Sequence, residues 1–150
     1  MRSKHIRLHP ANRPAFTLLE TLIVVTIITL LAGVAIPRTR RILDGIAVQA
    51  AGDEVVAALE LARHSAMTRG ERITVFLDTA PARLTMLAGN DTLRYRNENA
   101  THGVAFSASR RSVVYSQLGL GFGVSNLTLR VSRGAAADTI FVSRLGRVRR

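Results

Sequence analysis

The chain has 150 residues, no cysteine, 47% hydrophobic residues and a formal charge of +11. Without cysteine there is neither a disulfide nor a thiolate metal site, so any folded domain must be held by packing alone. The length allows one modest core, and the residues after the basic leader stay basic in themselves.

Residues 1–15 carry Arg2, Lys4, Arg7 and Arg13 and no acid. Residues 16–37 follow as FTLLETLIVVTIITLLAGVAIP, in which only Thr26, Thr29 and Gly33 interrupt the apolar run from Leu22 to Ile36. As a helix, the stretch before Pro37 rises about 32 Å, the thickness of a bilayer hydrocarbon core. The basic leader is then expected on the cytoplasmic side, with the rest of the chain beyond the membrane. Glu20 lies inside the apolar stretch, where an unpaired carboxylate is expensive and calls for a partner. A secretory signal cut after Gly33-Val34-Ala35 and an uncleaved anchor are both open at this point, although Glu20 argues against the first.

From Thr39 to Arg69, Leu43, Ala47, Ala51, Val55, Leu59, Ala62 and Ala66 recur at steps of three and four, which predicts an amphipathic helix continuing the first. Pro37, Gly45 and Gly52 predict a bend, and Gly70 a left-handed cap. Beyond Gly70 the period falls to two. Ile73, Val75 and Leu77, then Leu127, Leu129 and Val131, then Ile140 and Val142 alternate with outward residues. Shorter strands are expected at 84–87, 93–96, 104–106 and 113–117, with loops at 88–91, 97–103 and 119–123. Short connections favour antiparallel pairing, so the expected fold is α+β: a long helix packed on a small antiparallel β-sheet or β-sandwich.

Catalytic patterns are absent. His5 and His9 lie in the leader, and His64 and His102 are too far apart in sequence to predict a metal site. Gly119-Leu120-Gly121-Phe122-Gly123 has the wrong spacing for a dinucleotide fingerprint and precedes a strand. No enzyme, cofactor or metal is expected. The last seven residues hold Arg144, Arg147, Arg149 and Arg150 with no acid. In an extended chain Arg147 and Arg149 share one side while Val148 faces inward, and Arg110 and Arg111 are candidates to extend that face. Such a cluster reads either as a solvated end protecting an edge strand or as a phosphate-binding patch.

Several of these features fall together. The basic leader, the small Ala15, then Phe16-Thr17-Leu18-Leu19-Glu20 and a hydrophobic helix with Pro37 resemble the class III signal of type IV pilins and type II secretion pseudopilins. That resemblance implies cleavage between Ala15 and Phe16 by a prepilin peptidase, methylation of the Phe16 amine, and a pairing of Glu20, fifth in the mature chain, with the terminal amine of a neighbouring subunit. The usual residue before the cut is Gly, and here it is Ala15. The order Ala62-Arg63-His64-Ser65-Ala66, Arg69-Gly70, the glycine loop and the ending Gly146-Arg147-Val148-Arg149 is similar to the GspH/FimT family of minor pseudopilins. Membership implies a leader at 1–15, a transmembrane half-helix at 16–37, an amphipathic half at 38–70 and a periplasmic β-rich domain at 71–150. It also implies a single-pass inner-membrane protein whose partners are other pseudopilins or minor pilins, the prepilin peptidase, the inner-membrane assembly platform and membrane lipid. The implied function is a structural subunit of a pseudopilus, at its tip, or of a type IV pilus. FimT-like members are associated with DNA uptake, and the Gly-Arg-x-Arg ending resembles the element proposed for it, so DNA binding is the alternative.

Overall fold

The computed structural model describes residues 16–150, so the leader and Ala15 lie outside the described residues. The chain divides into two compact units, one ending at Pro37 and the other Arg38–Arg150.

Helix α1, Leu18–Arg69, contains Pro37. It begins after Thr17, whose hydroxyl accepts a hydrogen bond from the Glu20 amide at 3.2 Å and so satisfies one of the free amides of the first turn. Within the apolar segment Thr21, Thr26 and Thr29 donate to the carbonyls of Leu18, Leu22 and Val25, each at 2.8 Å, so no hydroxyl seeks a partner outside the helix. Every large apolar side chain from Phe16 to Ile36 is exposed. This part of α1 is long and apolar enough to cross a membrane.

In the second unit α1 buries Val48, Ala51, Gly52, Val55, Ala58, Leu59, Ala62 and Ala66. The stripe predicted by periodicity is present from Ala51 onward. Leu43 is instead exposed and Ala47 half-buried, because the packed face begins at Val48. Gly70, at φ 64°, follows the last helical residue, as the cap requires.

Two four-stranded antiparallel sheets follow. The first has the order β3-β2-β1-β5, from β1 Ile73–Thr79, β2 Ala82–Ala88, β3 Asp91–Arg96 and β5 Ser112–Tyr115. The second has the order β4-β6-β7-β8, from β4 Ala105–Ala108, β6 Leu127–Arg133, β7 Ala136–Val142 and β8 Val148–Arg149. Their inward residues, among them Ile73, Val75, Leu77, Leu84, Val113, Leu129, Val131 and Ile140, join the α1 stripe in one core. The alternation of apolar residues in β1, β6 and β7 thus marks the inner face, as its period implies. Residues 97–103, read above as a loop, hold a short helix, α2 Glu98–His102. The Asn97 side chain accepts from the Ala100 amide and Gly103 closes the other end at φ 64°, so capping chemistry decides this segment where hydrophobic periodicity has nothing to show.

Candidate functional site

The first candidate site is the start of α1. Phe16 and Leu18 are exposed, and Phe16, Glu20, Thr21, Val24 and Val25 line one apolar hollow. Glu20 is held in the first turn, where the helix dipole favours negative charge. No cation among the described residues pairs with its carboxylate.

The second candidate is the outer face of the second sheet. Register places Thr128 opposite Phe141 and Phe141 opposite Arg149, all three exposed. The β7–β8 turn is closed by the Ser143 amide donating to the Arg147 carbonyl and the Gly146 amide donating to the Ser143 carbonyl, both at 2.9 Å. Gly146 adopts φ 74°, and a Cβ there would lie 2.7 Å from the Gly119 carbonyl, so the turn needs glycine. It aims Arg147 and Arg149 to one side, where they line a groove of about 460 Å³ with Thr128, Phe141 and Leu145. Val148 is half-buried against the core.

The arginines singled out in the sequence do not all meet here. Arg144 is exposed in the turn. Arg150 is bound elsewhere: its guanidinium pairs with Asp53 on α1 and Asp138 on β7 and donates to the Gln49 carbonyl at 3.3 Å. Arg110 follows Ser109, which exchanges hydrogen bonds with Thr128, three strand spacings or about 14 Å from Arg149. Arg111 borders a separate cleft with Asp78 and accepts from the Leu77 amide through its carbonyl. Sequence reasoning missed Arg130, which is exposed on β6 two residues from Thr128 and so on the same face as Arg149. The signal was present: with Leu129 and Val131 inward, Arg130 must point out.

An apolar N-terminal helix joined to a helix-backed pair of antiparallel sheets defines a type IV pilin-like fold. The family model described as type II transport protein GspH matches residues 51–146, and the prokaryotic N-terminal methylation motif matches residues 11–36. The chain therefore belongs to the GspH family, whose members are minor pseudopilins or type IV minor pilins, structural subunits rather than enzymes. Among solved structures, it is similar to the type IV minor pilin FimU of Pseudomonas aeruginosa, with 17% identity, 68% of this chain and 86% of that chain covered, and a TM-score of 0.59. It is also similar to the minor pseudopilin EpsH from the type 2 secretion system of Vibrio cholerae, with 16% identity, coverage of 68% and 94%, and a TM-score of 0.52. No curated protein sequence matches the chain. The methylation motif together with the apolar helix marks a membrane-anchored pilin.

Proposed function

We propose that this protein is a minor subunit, at the tip, of a periplasm-spanning pseudopilus in type II secretion or of a type IV pilus. It is cut between Ala15 and Phe16, methylated at Phe16 and held in the inner membrane by residues 16–37, with the leader cytoplasmic and the sheet domain periplasmic. The observation that carries this reading is Glu20: a carboxylate fixed by a capped first turn, on an exposed apolar helix, without a cation among the described residues. A neighbour's terminal ammonium would remove the cost of that charge in lipid, so assembly itself satisfies the group. Prepilin peptidase, the assembly platform and other pseudopilins or minor pilins are the partners this requires. Site-directed photocross-linking in native membranes tests it: a photoreactive residue placed at Leu22 should couple this chain to other pilin-type subunits, and a chain that cross-links to none would refute the role.

A second reading is DNA binding through backbone phosphates, favoured by the grouping of Arg130, Arg147 and Arg149 on one open sheet face. On this reading Arg147 and Arg149 carry the contact and Arg150 does not.

A further inference from the structure

Helix α2 bridges the two sheets, linking β3 of the first to β4 of the second. Its Glu98 and His102 stand four residues apart, on one helical face, and meet Glu54 of α1. The His102 Nε2 atom is 3.1 Å from Glu54 Oε1 and 3.7 Å from Glu98 Oε2. One ligand atom from each of the three residues lies within 4.8 Å of the others.

Glu98 is 1% exposed, and its Oε2 has no hydrogen-bond partner among the described residues. At 3.7 Å the imidazole nitrogen is beyond hydrogen-bond reach. A buried carboxylate oxygen left in this state is costly unless a cation satisfies it. Burial, reinforced by the nearby Glu54, raises the Glu98 pKa above its ordinary value, while His102, Arg96 and Arg94 act in the opposite direction. Arg96 reaches Glu54 Oε2 at 3.4 Å and leaves the Oε1 side to His102. At the other end of α2, an Arg133 guanidinium nitrogen donates to the His102 carbonyl, which fixes the residue's backbone.

One imidazole nitrogen and two carboxylate oxygens are a donor set suited to Zn²⁺; calcium and magnesium prefer oxygen throughout. Tetrahedral bonds of about 2.0–2.2 Å put donor atoms roughly 3.3–3.6 Å apart. The two observed separations bracket that range.

We propose that Glu54, Glu98 and His102 form a Zn²⁺ site that pins the sheet-to-sheet crossover to α1. The ion supplies the positive charge that the buried Glu98 oxygen lacks. Water completes the fourth position, and the role is structural, because the site ties α2 to α1. Histidine spacing in the sequence predicts no such site, since two of the ligands are glutamates and Glu54 comes from another element.

The test is zinc titration by calorimetry of the full chain in detergent, stripped with chelator, at pH 7.5, with Co²⁺ absorption as a second probe. The wild type should take up an equivalent of Zn²⁺ that raises its melting temperature, and Co²⁺ should give the intense visible bands of a tetrahedral site. His102→Ala and Glu98→Gln should each weaken this equivalent at least tenfold and abolish the thermal shift. Glu98→Gln keeps the side-chain volume and removes the buried charge, so it folds without metal. Two results would overturn the proposal. One is a wild type with no stoichiometric zinc and no tetrahedral cobalt spectrum, which would leave the cluster held by the contact of His102 with Glu54 alone. The other is a folded Glu98→Gln variant that binds like the wild type, which would assign the metal to His5, His9 or His64.

Discussion

Arg150 pairs with Asp53 across 97 residues of chain, tying the last residue to the middle of α1. Its guanidinium also meets Asp138 on β7, so one side chain joins the helix to the second sheet. The same contacts withdraw Arg150 from the open arginine face. Chemically alike neighbours at the end of this chain therefore have different work to do.

Arg150→Ala should lower stability by about 1 kcal/mol, since the paired groups are partly exposed and each such pair contributes well under that amount to about that amount. Thermal melting monitored by circular dichroism reads this directly. An unchanged melting temperature would show the pairs to be energetically idle.

Replacing Arg147 and Arg149 together by Ala should leave the melting temperature within a degree or so, because both side chains are exposed and bear no ion pair among the described residues. If the face binds duplex DNA, affinity falls and the slope of log affinity against log salt drops by roughly two units, about 0.9 per phosphate contact. Fluorescence anisotropy over a salt series measures both. Equal slopes for the double variant and the wild type would exclude phosphate contact at these positions.

The processed chain should begin at Phe16 with a methylated amine. Intact-mass spectrometry of protein extracted from native membranes checks it, and an N-terminus at Met1 or Ile36 would contradict the peptidase assignment.

Glu20→Ala should leave membrane insertion intact while incorporation into filaments falls severalfold, because the variant loses the partner for a neighbour's ammonium without losing apolar length. Fractionation followed by quantification in sheared filaments separates the two effects. Incorporation at the wild-type level would rule out the pairing.

Gly146→Ala should cost about 2 kcal/mol or more. The left-handed backbone alone costs an alanine about 1–2 kcal/mol, and the added methyl would press on the Gly119 carbonyl and, at 3.2 Å, on the Tyr115 ring. Chemical denaturation gives the number. A loss below about 0.5 kcal/mol would mean that the turn can rearrange.

Much of the fold was legible because its signals are local and repetitive. The apolar run before Pro37 and the alternation in β1, β6 and β7 need no knowledge of distant contacts. The pairing of Arg150 with Asp53 and the meeting of Glu54 with His102 were not legible, since each depends on which surfaces the sheets bring together. Helix α2 is an intermediate case. Asn97, Glu98 and Gly103 spell a capped turn, but with a single helical turn there is no hydrophobic period to find. Leu43 shows the opposite failure: its spacing fits the stripe, yet packing begins only at Val48.

The small side chains along the buried face of α1 govern how the domain bears load. Ala51, Gly52, Ala58, Ala62 and Ala66 form a nearly smooth rail, above which Val48, Val55 and Leu59 rise as the larger teeth. Tension along the helix axis would find little in that rail to resist sliding. Resistance falls instead on the lateral ties: Asp44 to Arg133, Asp53 to Arg150, Glu54 to Arg96, and Arg63 to the Gly119 carbonyl. These anchor points are distributed over about 28 Å of helix, like rungs sharing a shear force.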